Sequence, residues 1–120
     1  MEKSSGNAGR PTLSAKRSKM GPNEKDALML AVSRDLLTGT KTTGQALRFL
    51  RVELLSLNQE QYARMVGVTR KILSEIESDR SKANVCVLNR VLRGVGLYAA
   101  ILPRDNFTKD ELFKEFKYIE

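Results

Sequence analysis

This 120-residue chain contains no histidine and no tryptophan, and its one cysteine is Cys86. A lone cysteine excludes a disulfide framework within the chain. A zinc site would need at least a second soft ligand, so no metal is expected. There is no glycine-rich phosphate loop, and Glu75 and Glu77, two residues apart on one expected helix, fall on different faces and make no carboxylate pair. Neither an enzyme nor a cofactor is therefore expected. No apolar run approaches the roughly 18 residues that a membrane span needs. The N-terminus is polar, unlike a signal peptide, and the expected location is the cytoplasm.

What remains is an ordinary balance of 29% charged and 41% hydrophobic residues with a net charge of +7 and a pI near 9.8. The length gives room for one domain with a modest core, plus tails. The charge is unevenly spread. Residues 1–22 carry five Lys/Arg against one acid, and residues 41–104 eleven against five. Residues 23–40 carry two against three, and residues 105–120 three against five. A positive tail and a positive central segment suit a polyphosphate partner, bound with strong salt dependence. Charge alone leaves open a basic protein with no such partner.

Residues 1–22 are rich in Ser, Gly, Lys and Arg, lack apolar periodicity and read as a disordered basic tail. Within them Gly9-Arg10-Pro11, followed by Lys16, Arg17 and Lys19, resembles the core of a minor-groove AT-hook, against the plainer reading of a solvated basic tail. An additional N-terminal helix is expected over 23–40, capped by Asn23, with Leu28, Ala31, Val32, Leu36 and Leu37 at helical spacing and Gly39 as its stop. A second helix, Thr43–Leu55, carries the stripe Ala46, Leu47, Leu50, Leu54 and Leu55, with Arg48 and Arg51 toward the opposite faces.

Two short helices then follow in quick succession. Asn58 with Gln61 three residues on has capping-box spacing. The helix it opens is broken by Gly67, and Thr69 caps the next helix, Arg70–Glu77. Two short helices around a tight glycine turn make a helix-turn-helix. Tyr62, Val66, Val68, Leu73 and Ile76 are expected between them, and small Ala63 lets them cross closely. Arg70, Lys71, Ser74 and Glu75 are left at the exposed front, where a helix N-terminus also favours phosphate. The plainer alternative is an ordinary helical hairpin in a small bundle. Beyond a basic loop, Arg80-Ser81-Lys82, Asn84 caps a further helix with Val85, Val87, Leu88, Val91 and Leu92 apolar. Cys86 on this helix reads as a core filler. Leu97–Leu102 reads as a strand stopped by Pro103. A lone strand needs a partner, and the expected one is the same strand of a second subunit. Thr108 and Glu111 are expected to cap a C-terminal amphipathic helix within 105–120, with Leu112, Phe113, Phe116 and Ile119 apolar.

The series Leu57-Asn58-Gln59, Ala63, Gly67-Val68, Leu73, Ile76 and Glu77 resembles the XRE family of helix-turn-helix regulators, the Cro and phage-repressor type, over about residues 43–102. The resemblance implies a mainly α fold, a lambda-repressor-like five-helix bundle binding DNA as a dimer through residues 41–104. The trailing Leu97–Leu102 segment resembles the HipB-like antitoxin branch, whose dimers pair such strands. By position, Gln59 would anchor a phosphate and brace the recognition helix, and Thr69 would bind phosphate. Arg70, Lys71, Ser74 and Glu75 would face base edges, and Arg80 and Lys82 would clamp the backbone. Glu75 could accept from a cytosine amine or form a salt bridge within its helix. The sequence also departs from the family pattern. Val52 stands where an arginine usually pairs with the glutamate at Glu77, and Arg51 lies one residue earlier. Either the preceding helix is one residue longer or the buried pair is absent. Ser56 and Asp79 stand where glycine is usual, and Ala83 where proline is common.

The expected function is thus that of a sequence-specific DNA-binding transcriptional regulator, a homodimeric repressor reading the major groove of double-stranded DNA. The alternative is an antitoxin that holds a protein toxin and represses its own operon. A third class, architectural or RNA-binding, would show indifference to sequence.

Overall fold

The structure is a computed structural model that describes residues 20–119, with side chains described as far as Glu115. The AT-hook-like triplet and the side chains of Phe116 and Ile119 lie outside these limits. Among the described residues there are six α-helices and no strand. They are α1 Pro22–Thr38, α2 Thr43–Leu50, α3 Gln59–Val66, α4 Arg70–Glu77, α5 Val85–Arg93 and α6 Asn106–Ile119. α2 runs on into a π-helical turn, Arg51–Leu55. Among the described residues no helix is long and apolar enough to cross a membrane.

Polar caps set most of the starts. Thr42, Asn58, Thr69 and Asn84 each accept a hydrogen bond from the backbone N–H three residues on, at 2.8–3.1 Å. Gln45 and Gln61 return the bond to the backbone N–H of Thr42 and Asn58 at 2.9 Å each. Each such cap satisfies a donor that the helix itself cannot. Two starts differ from expectation. α1 opens at Pro22, whose fixed φ suits the first helical position, so Asn23 lies inside the first turn and Gly21 is the cap. The N–H of Gly21 donates to Glu24 Oε1 at 2.9 Å. In α6 the cap is Asp105 rather than Thr108. Its Oδ2 accepts from both the N–H and the hydroxyl of Thr108 at 2.8 Å, and these bonds hold the carboxyl below its ordinary pKa.

Five helices share one core. Val32 of α1, Ala46, Leu47 and Leu50 of α2, Tyr62 and Ala63 of α3, Leu73 and Ile76 of α4, and Val91 and Leu92 of α5 are buried together with Val95. Leu28, Met29 and Leu36 complete the docking face of α1, whereas Ala31 and Leu37 face outward. Lys41 secures the end of α1 through an ion pair with Asp35 at 2.9 Å, and its ammonium lies 4.8 Å from the centre of the Phe49 ring. α2 and α4 approach closely at Gly44: a Cβ there would lie 2.5 Å from the carbonyl oxygens of both Ile76 and Glu77.

One expectation about an apolar residue is corrected. Val85 and Cys86 are exposed, because α5 turns Val91 and Leu92 inward and its first turn protrudes beyond the core. Cys86 is therefore not a core filler. Residues 97–102 form no strand in the single chain, since no neighbouring backbone supplies a ladder. Leu97 and Ala99 instead pack against the core, with the N–H of Ala99 donating to Asn89 Oδ1 at 2.7 Å. Tyr98, Ile101 and Leu102 are exposed.

Candidate nucleic-acid interface

Three residues, Gly67-Val68-Thr69, join α3 to α4. Gly67 has φ 80°, a left-handed conformation with little cost only for glycine. It lets the N–H groups of Gly67 and Val68 both donate to Ala63 O, at 2.9 and 3.0 Å. Tyr62 is fully buried behind the turn, and its hydroxyl donates to the carbonyl of Val91, anchoring α3 to α5. Desolvation by burial raises the pKa of this phenol, and the nearby Glu77 carboxylate adds to the shift while Arg51 opposes it.

A buried polar network fixes the other end of the helix pair. Arg51 donates through Nε to Glu77 Oε2 at 2.6 Å and through Nη2 to Glu77 Oε1 at 3.0 Å. Its Nη1 donates to the carbonyl of Leu57 at 2.7 Å, and Gln59 Nε2 donates to Glu77 Oε1 at 2.9 Å. This fork matches the planar guanidinium to the carboxylate and leaves neither charge uncompensated. Arg51 thus points inward, contrary to the outward placement expected from helical spacing. The extra residue between Arg51 and Gln59 is absorbed by the π turn, which accommodates one residue more than an α turn. Ser56 then closes α2 in a left-handed conformation, φ 56°.

The candidate site residues divide into two groups. Gln59 is half-buried and braces Glu77. Thr69 is exposed and caps α4 through its hydroxyl oxygen, which accepts from the N–H of Ile72. Arg70 and Lys71, in the first turn of α4, are exposed, and Ser74 and Glu75 are half-buried behind them. Arg80 and Lys82 are exposed beyond the far end of this eight-residue helix, about 12 Å along its axis. Arg80 Nε donates to Ser78 Oγ at 3.1 Å. Among the described residues none of these four cations pairs with a carboxylate. They are therefore available to an anionic partner.

Asp79 is a structural contributor that sequence reasoning missed. At φ 59° its carboxylate accepts from the Thr42 hydroxyl and, at 2.9 Å, from the N–H of Gly44. It thereby ties the loop carrying Arg80 and Lys82 to the start of α2. The tolerance of Asp for left-handed backbone was the available signal, but its partners lie some 35 residues away, beyond any local pattern. Arg90 also lies beside the turn, its Cδ 4.0 Å from where a Cβ on Gly67 would be. No family model, curated protein or solved structure matches this chain.

Proposed function

We propose that this protein is a sequence-specific DNA-binding transcriptional regulator, a homodimeric repressor whose α3–α4 pair is a helix-turn-helix with α4 as the recognition helix. The observation that carries the reading is the first turn of α4, where Arg70 and Lys71 are exposed and unpaired on a helix held by the Arg51–Glu77–Gln59 network. A guanidinium or ammonium so placed can reach guanine O6 and N7, while free N–H groups at the helix start favour phosphate. Arg80 and Lys82 would meet the backbone of the duplex. Two copies related by a two-fold axis would read half-sites about one helical turn apart, joined through residues 97–102.

Selection from a random duplex library tests the proposal. Enrichment of a palindromic site bound well above random duplexes is expected. Uniform, strongly salt-dependent binding without enrichment would instead support an architectural role. The antitoxin reading gains support from the exposed Phe107 and Phe113 on α6, whose described side chains add nothing to the buried core. It predicts a stable complex with the product of a neighbouring toxin gene.

A further inference from the structure

We infer that α1 is a self-association surface, on which two copies of this chain pair through antiparallel α1 helices. The inference goes beyond the function proposed above and depends neither on DNA reading nor on residues 97–102. It begins with Ala27–Val32, six apolar residues in succession. Six residues make more than one helical turn, so they put apolar side chains on every side of the helix. A helix that is apolar all round is ordinarily covered all round. Among the described residues, however, α1 is covered on one side only. Leu28, Met29, Val32 and Leu36 pack on the core, whereas Leu30 and Leu37 are 57% and 47% exposed and Ala27 and Ala31 are exposed beside them.

The residues of the open face identify the partner. Asp26, Leu30 and Arg34 stand four residues apart in one row along the helix, with Ala27 and Ala31 next to it. Asp26 and Arg34 are exposed, and among the described residues neither side chain has an ion pair or a hydrogen bond. Their charged neighbours are engaged elsewhere: Asp35 pairs with Lys41, and Glu24 accepts from the N–H of Gly21. Opposite charges thus sit one turn to either side of an exposed leucine. A second copy of the row, turned end for end about Leu30, sets Arg34 against the partner's Asp26 at both ends of the contact and Leu30 against the partner's Leu30. That is the self-complementarity of a two-fold contact. Parallel pairing would set like charges together. Ala27 and Ala31 are small enough to let the helix axes approach to about 8 Å. Exposed charge pairs add little affinity. They fix the direction of pairing, and burial of the apolar side chains supplies the attraction.

The test is disulfide capture in the full chain carrying Cys86→Ser, which removes the one native thiol. Leu30→Cys in this background puts a thiol on the proposed two-fold axis. Glu60→Cys, on α3 at 72% side-chain exposure, is the control. Under mild oxidation Leu30→Cys is expected to form covalent dimer about tenfold faster than the control at the same concentration, because pairing raises the local thiol concentration. Adding Asp26→Arg or Arg34→Asp should slow capture about fivefold, since each reversal sets like charges together at both ends. The two reversals combined should restore it. All of these positions are exposed, so thermal melting should show every variant folded. Capture no faster than the control would overturn the inference and leave the open face to a different protein. Capture indifferent to both reversals would overturn the antiparallel pairing. Loss of the DNA-reading function would alter neither readout.

Discussion

Arg51 and Glu77 are the two buried charged residues of the described chain, and each satisfies the other. Removing one partner leaves a charge with no compensation in a poorly solvating interior. Arg51→Ala is therefore expected to lower stability by about 3–5 kcal/mol in urea unfolding. The double replacement Arg51→Met with Glu77→Leu should recover most of that loss, because it removes both desolvation penalties together. A double variant no more stable than Arg51→Ala would contradict this. Tyr62 gives the fold an alkaline limit. Its folded pKa is raised above the ordinary value of 10.0, so its contribution is present below that pH and is lost as pH rises above it. Melting between pH 8 and about 11 should show a smaller alkaline loss in Tyr62→Phe than in wild type. At neutral pH the same variant should cost roughly 1–2 kcal/mol through the lost bond to the Val91 carbonyl.

At the scale of elements, the two ends of α4 are held by different devices. The turn before it depends on Gly67, and the loop after it on Asp79. Asp79→Ala should cost about 1–2 kcal/mol, combining a lost cap with left-handed strain, whereas Asp79→Asn, which tolerates the backbone and keeps an acceptor, should cost less than half of that. Chemical denaturation of the two variants checks the order. Gly44→Ala would drive a methyl group into the carbonyls of Ile76 and Glu77 and should cost roughly 1–3 kcal/mol by forcing α2 from α4. The caps Asn58, Thr69 and Asn84 and the break at Gly67 were legible in the sequence because they act within three or four residues. The inward course of Arg51 was not, because helical spacing assumes a constant 3.6-residue turn and the π turn breaks that register. Cys86 was misjudged for a related reason: an apolar residue at the start of a helix is buried only if something lies opposite, and among the described residues nothing does there. The residues proposed for the site lie on the two helices and the loop, and the half-burial of Ser74 and Glu75 depends on packing that no local pattern encodes.

Across the whole molecule, the segment 41–104 holds eleven of the 21 basic residues and only five of the 14 acidic ones, while Arg51 is spent on the core. Binding to any duplex should therefore fall steeply with salt. Within that field the proposed division of labour is sharp. Arg70 would read bases from the first turn of α4, and Lys82 would meet phosphate from the loop beyond it. Lys82→Ala should weaken binding to specific and random duplexes about equally and flatten the salt dependence by about one ion.

The most direct measurement is the ratio of affinities for the selected site and a random duplex, titrated at two salt concentrations for wild type, Arg70→Ala and Lys82→Ala. The ratio should fall about tenfold in Arg70→Ala and hold near the wild-type value in Lys82→Ala. Equal ratios in all three proteins would contradict a base-reading role for the first turn of α4.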